Sequence, residues 1–255
     1  MTSMVDRYFN TLAERLERVR TTQAAAIEEA AELCAASIAA DKLAFTFGTG
    51  HGALPALESF PRTGTITGFR PIVESTMISF HRVLGDMGAR QYRFIHAVEG
   101  YGKAILNSHQ LDPLDTMVLF SHSGINAVIL DIALECKARG MKVVGVTSLP
   151  HSSVTPSRHS SGKRLFEVAD VVIDTGIPKA DASLVIDGLE HPVGANSTSV
   201  TIAIAHAIVA TTAEKLVQQG IKPFVMVNPN TTSKAEANAQ NDRNYEELWR
   251  RLKSR

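Results

Sequence analysis

The sequence predicts a three-layer α/β/α sandwich around a central, mostly parallel five-stranded sheet, with a long helical segment ahead of it. Three observations carry this. Short apolar runs rich in β-branched and aromatic residues alternate with stretches of helical period, the pattern of βαβ units. The runs end in glycine- or serine-rich turns, where parallel strands hand over to helices. The first 40 or so residues show helical spacing only.

In chain order, Phe9, Leu12, Leu16, Val19, Ile27, Leu33 and Ile38 define an amphipathic segment from Met4 to about Ala40, with a break near Thr21. LAFTF forms the first buried strand and runs into GTGHG. A helix over Ala53–Ser59, a strand in TGTITGFRPIV, a helix from Ser75 to about Leu84 and a helix from Gly102 to Ser108 follow. TMVLF is the next strand, Ile125–Ala138 a helix stopped by Gly140, and KVVGVTS a further strand. After the polar loop SSVTPSRHSSGK come a short helix at RLFEVA, the strand DVVIDTG and a helix from Thr198 to Gln219. KPFVMV reads as an edge strand, and Ser233–Leu252 as a terminal helix anchored by Trp249 and Leu252. No composition break marks a linker, so the chain reads as one domain, with residues 1–40 helical, 41–228 the α/β core and 229–255 a helical tail.

Lysine plus arginine number 26 and aspartate plus glutamate 26, so no net field draws nucleic acid or an anionic membrane, and an anionic ligand must be captured locally. Cys34 and Cys136 lie in helical patterns without metal-ligand or redox spacing, and read as small core residues in a reducing compartment. No uncharged apolar run approaches the ~18 residues of a membrane span, and the N-terminus has no leader-like core. The expectation is a soluble cytoplasmic protein.

Two turns stand out. FSHSGINA places Ser121, His122, Ser123, Gly124 and Asn126 between a buried strand and a helix, and GTGHG places Gly48, Thr49, Gly50 and His51 at the equivalent point after the first strand. In open α/β sheets ligands bind beyond the carboxyl ends of strands, where the next helix offers free N–H groups and the positive end of its dipole. Each turn has a plainer reading, since a serine before a helix is often an N-cap and a glycine-rich turn is often only tight geometry. GTGHGA is not a dinucleotide fingerprint, and SSGKR lacks the earlier glycine and the Ser/Thr of a phosphate-binding P-loop.

The stretch Ser121–Ser148, SHSGINAVILDIALECKARGMKVVGVTS, resembles the signature of the sugar isomerase (SIS) family, in which a Ser-x-Ser-Gly turn grips a sugar phosphate. GTGHGA is similar to that family's first glycine turn and RLFEVADVVIDTG to its helix, Ala-Asp and strand segment; AVEGYGKAILNSH and SRHSSGKRL are shared with a group of single-domain bacterial members. The resemblance implies a flavodoxin-like SIS domain related to phosphoheptose isomerase and N-acetylmuramic acid 6-phosphate etherase, with a phosphorylated sugar as ligand. Two positions depart from the pattern: Gly52 stands where a serine often closes the first turn, and Asn126 where a Ser or Thr often follows Ser-Gly.

Aldose–ketose isomerisation through an enediol needs a base that moves a proton between neighbouring carbons and a second group that opens the ring. Glu99, in HAVEGYG, is the first candidate base, and resembles the glutamate-glycine pair of the etherase branch; as a plain residue it is a first-turn carboxylate. Glu74 is a second candidate or a capping acid, and His51 could reach a sugar from the glycine turn. His122 lies between the serines and, by strand alternation, could face away. Ser197 and Thr198, in GANSTS, could touch the phosphate or cap the next helix. His206 reads as a core residue, though phosphoheptose isomerase resembles this layout and uses a histidine from that helix; His159, Ser160, Ser161 and Lys163 read as a solvent-facing loop.

The expected function is therefore a phosphosugar isomerase, with lyase or etherase-type elimination and non-catalytic sugar-phosphate sensing as alternatives. No cofactor and no metal are expected, and the apolar face of the N-terminal segment suggests a homodimer or higher homo-oligomer.

Overall fold

The computed structural model describes residues 2–78 and 88–254. Two helices open the chain, α1 (Met4–Thr22) and α2 (Ala24–Ala39). Ser3 caps α1 by accepting from the Asp6 amide at 3.1 Å, and the predicted break falls at Gln23, whose side chain accepts from the Asp174 amide at 2.9 Å. The core alternates as expected: β1 (Ala44–Gly48), α3 (Ala53–Glu58), β2 (Phe69–Pro71), α4 (Ser75–Ile78), α5 (Gly88–Ile95), α6 (Tyr101–Asn107), β3 (Thr116–Phe120), α7 (Ala127–Ala138), β4 (Lys142–Thr147), α8 (Leu149–Ser152), α9 (Leu165–Val168) and β5 (Val171–Asp174). A hairpin of β6 (Ala182–Leu184) and β7 (Val193–Ala195) leads into α10 (Ser197–Gln218), and α11 (Lys234–Lys253) ends the fold.

The main sheet has the order β2-β1-β3-β4-β5 and all its pairings are parallel. Side chains alternate across it, so each face builds its own core. Val118, Phe120, Val144, Val146 and Ile173 meet Ile27, Cys34 and Ile38 of α2 and Val200, Ile204 and Ile208 of α10. Phe45, Phe47, Met117, Leu119 and Val143 meet Leu106 of α6 and Ile129, Ile132 and Cys136 of α7. Both cysteines are buried and free, and burial pushes each thiol up to about 12. α10 is long and apolar enough to cross a membrane by length and composition, yet its Val200, Ile204 and Ile208 belong to the core against α2.

Several elements differ from expectation for local reasons. The strand in TGTITGFRPIV contracts to Phe69–Pro71, because β2 is the sheet edge and ends at a proline that cannot donate to a ladder. KPFVMV forms no strand; among the described residues it makes one antiparallel bridge, Val225 to Ile66. The helix expected from Ser75 is seen as far as Ile78, and its continuation lies outside the described residues. Trp249 does not anchor α11, being 61% exposed. Leu252 does pack against the core, as does Leu248, and polar anchors hold the helix beside them. Asn244 accepts from the Thr67 hydroxyl at 2.6 Å and donates to the Val225 carbonyl at 3.0 Å, while the buried Arg251 donates to the carbonyls of Ile38 and Lys42, each at 2.9 Å. The β6–β7 hairpin and α5 lie in segments the periodicity left unassigned.

Candidate functional site

The turns after β1 and β3 meet because their backbones pack against each other. A Cβ at Gly48 would fall inside the carbonyl of Gly52, and one at Gly52 would press on the carbonyl of Phe120, so only glycine allows this approach. Gly50 adopts φ 57° within the short 3-10 turn Gly50–Gly52.

The second turn is closed by its own serine. Ser121 accepts from the Gly124 amide at 3.1 Å, while its amide donates to the Val146 carbonyl on β4 at 3.0 Å. Gly124 has φ 62°, and a Cβ there would lie 2.8 Å from both Ser152 Oγ and Thr147 Oγ1. The Ser152 hydroxyl donates to the Ser123 carbonyl and pins the turn to α8. Asn126 is the N-cap of α7 but makes no side-chain cap bond; it reaches Ser123 Oγ at 3.5 Å and accepts from Arg158 at 3.1 Å. Neither serine caps α7, which leaves the Ser123 hydroxyl with only that long contact among the described residues.

Between the turns and α10 lies a cavity of about 400 Å3. Thr49, His51 and Gly52 line it from the first turn, and Ser121, His122, Ser123 and Asn126 from the second. His151 from α8 and Asp181, Ser197, Thr198 and Thr201 from the approach to α10 complete it with Tyr92 of α5. Hydroxyls and imidazoles dominate the wall, and no lysine or arginine is among these lining residues.

At the start of α10 an internal carboxylate already meets the free amides. Asp181, at φ 61°, accepts from the Asn196 and Ser197 amides at 3.0 and 2.8 Å and from the Ser197 hydroxyl at 2.6 Å. The left-handed backbone is one that aspartate tolerates better than most residues. Burial alone would raise its carboxyl, but the hydrogen bonds from Ser197 and Asn196 outweigh it and hold it below the usual range. Ser197 therefore serves Asp181, and Thr198 remains the hydroxyl of that turn facing the cavity.

Two histidines sit edge to face, His122 and His151, with ring centroids 4.9 Å apart and planes at 73°. Both ring nitrogens of His122 and Nδ1 of His151 are buried without a hydrogen-bond partner. Such groups cost about 1–3 kcal/mol each if left unmet. Burial pushes the His122 imidazolium below its ordinary pKa, although Asp181 and the nearby backbone of Lys179 and Pro178, which do not reach hydrogen-bond geometry, favour the charge. His151 is pushed down to about 4, by burial first and then by His122, Lys179 and Arg158.

The two carboxylates proposed as bases stand elsewhere. Glu99 does not line the cavity; it accepts from the Ser160 amide at 2.6 Å and from the Ser160 hydroxyl at 2.5 Å, bonds that hold its carboxyl below the usual value. Glu74 accepts from the Thr76 hydroxyl at 2.8 Å, and that hydroxyl meets Tyr101 at 2.9 Å, also off the cavity. Gly48, Gly50 and Gly124 shape the backbone of the two turns without lining the wall. His206 is not a core residue: it is half-exposed and lies 3.3 Å from Glu58. The loop through His159, Ser160, Ser161 and Lys163 is not simply solvent-facing, since the His159 side chain is largely covered between Asp131 at 3.2 Å and Glu99 at 3.8 Å, while Ser160, Ser161 and Lys163 are exposed.

Sequence reasoning missed His151, Tyr92 and Asp181. His151 had a usable signal, because it follows a strand ending in Thr-Ser, at the same level of the sheet as the two turns. Asp181 and Tyr92 had none, one lying in an irregular segment and the other on an unassigned helix.

Comparison with known proteins agrees with the fold. A family model described as SIS domain matches residues 7–148. A UPF0309 protein of Halalkalibacterium halodurans is 33% identical over 97% of this chain and 98% of its own length. One from Streptomyces coelicolor is 32% identical over 92% of each chain. Among solved structures, a phosphoheptose isomerase from Francisella tularensis superimposes with a TM-score of 0.54 at 15% identity, covering 84% of this chain and all of its own. Phosphoheptose isomerase from Neisseria gonorrhoeae gives 0.54 at 17% identity over 82% of this chain and 97% of its own. At these identities the likeness is one of fold.

Proposed function

This chain belongs to the SIS domain family, and from that premise we propose that it binds a phosphorylated sugar in the cavity and interconverts its aldose and ketose forms. One observation carries the reading: the Ser121–Asn126 turn presents hydroxyls at the N-terminus of α7 without using them to cap that helix. A phosphate seated there gains charge-assisted hydrogen bonds from Ser123 and the Asn126 amide group, together with the helix dipole. The sugar then extends toward His51, Thr49 and Thr198 on the opposite wall.

Of the candidate bases Glu99, Glu74 and His51, His51 is the one on the wall. In this reading His51 takes the proton from the carbon beside the carbonyl, the C–H electron pair becomes the enediol double bond, the carbonyl oxygen takes the proton of the neighbouring hydroxyl, and His51 delivers a proton, exchangeable with solvent, to the former carbonyl carbon. A purely sensing role is favoured by one observation, that neither glutamate lines the cavity. Proton exchange separates the two. A phosphosugar incubated with the protein in heavy water should lose its C2 proton signal and give ketose resonances, with His51→Gln slower by about a hundredfold or more. Binding without exchange would leave the sensor.

We place this activity in the cytoplasm, in a homodimer paired through the exposed Met4, Val5, Phe9 and Leu16 of α1. A monomer mass by light scattering would contradict the pairing.

A further inference from the structure

The cavity poses an electrostatic problem. A phosphate monoester carries about −1.5 to −2 charges at neutral pH, yet among the described residues the wall holds a carboxylate, Asp181, and no lysine or arginine, with Lys179 and Arg158 acting on His151 from outside the lining. Helix dipole and hydroxyls meet part of that charge. Among the described residues the wall's titratable nitrogens are those of His51, His122 and His151, and three nitrogens of the last two are buried with no partner in hydrogen-bond geometry. Buried imidazole nitrogens ordinarily find a donor or acceptor within the protein. Here they surround the turn that offers the hydroxyls.

We propose that His122 and His151 form a proton-accepting floor to the cavity, taking up one proton between them when a phosphorylated ligand enters. The inference rests on the phosphosugar reading and adds where the compensating charge comes from. The proton is drawn from solvent; an N–H bond forms on one imidazole and no other bond changes. With centroids 4.9 Å apart the rings cannot comfortably both be charged, so the pair holds one proton and not two. The groups facing the pair have opposing effects. Asp181 favours the proton, as does the backbone of Pro178 and Lys179; the Lys179 and Arg158 side chains oppose it. Burial also opposes it, which keeps the rings neutral until an anion arrives.

The sign follows from linkage. A ligand that raises the affinity of the pair for a proton binds more tightly as pH falls, by up to about tenfold per pH unit while one proton is taken up. Phosphates titrate in the same range, so the clean probe is inorganic sulfate, which stays doubly charged. Sulfate is titrated calorimetrically into the full chain at pH 6 in two buffers of different ionisation heat, with a sugar phosphate run in parallel. The expected result is a buffer-dependent heat corresponding to nearly one proton taken up per sulfate. His122→Gln and His151→Gln should each remove most of it, while His51→Gln keeps it and circular dichroism shows all three folded. Sulfate binding with equal heats in the two buffers overturns the proposal. So does uptake that survives both substitutions or vanishes only with His51→Gln. If neither sulfate nor any sugar phosphate binds, the phosphosugar reading itself falls and takes this one with it.

Discussion

Gly48→Ala is expected to destabilise the protein by about 3 kcal/mol, the upper end of what overpacking costs in a rigid site. The added methyl would fall inside the Gly52 carbonyl, with the Ala53 amide 3.0 Å away, and backbone on both sides leaves nothing flexible to yield. β1 would have to withdraw from the turn, and the turn from Phe120, which separates the two walls of the cavity. Urea unfolding measures the loss. Gly188→Ala provides the contrast, because its φ is 88° but nothing lies within 4 Å of its added Cβ. That substitution should cost only left-handed strain, about 1–2 kcal/mol, so equal losses at the two sites would refute the steric account.

Ser123→Ala is expected to do the reverse, changing binding far more than folding. Its hydroxyl makes one weak internal contact, 3.5 Å from Asn126, so stability should move by less than ~0.5 kcal/mol. If the hydroxyl grips a phosphate, the lost charge-assisted bond is worth roughly 1.5–3 kcal/mol, or about tenfold to a hundredfold in affinity. Ser121→Ala should weaken binding too, but it also breaks the bond that closes the turn at Gly124 and costs about 1 kcal/mol of stability. The contrast between neighbours is informative. Calorimetric affinities beside urea curves show it, and parallel loss of stability and affinity at Ser123 would return the turn to a structural role.

How much of this could be read from the chain follows from where information is local. The strands and their order of alternation are legible because TMVLF and VVGVT are buried on both faces and so read as nearly continuous apolar runs. The two turns are legible because glycine and serine after a strand mark a place where backbone must approach something closely. KPFVMV misleads for the same reason, since apolar composition alone does not supply a neighbouring strand, and Val225 finds only Ile66. Trp249 misleads because size is taken for burial, whereas α11 is held by Leu248 and Leu252 against the core and by Asn244 and Arg251 through backbone carbonyls that no periodicity reveals. Asp181 reaches Ser197 across the β6–β7 hairpin, and His151 meets His122 across two strands. Those meetings are products of topology. Glu99 shows the limit in the other direction: its neighbourhood in sequence suits a catalytic acid, but the chain folds Ser160 onto it.

The most direct test is thermal unfolding of the protein with C6, C7 and N-acetylated sugar phosphates, each beside its unphosphorylated parent. A ligand that binds only the native state, present at about 100 times its dissociation constant, adds roughly 2.7 kcal/mol and raises the midpoint visibly. At least one phosphosugar should do so while its parent, at the same concentration, does not, and Ser123→Ala should abolish most of the shift. If parent and phosphosugar stabilise alike, or if no phosphosugar acts while an unrelated acid does, the turn at Ser121–Asn126 is not a phosphate site.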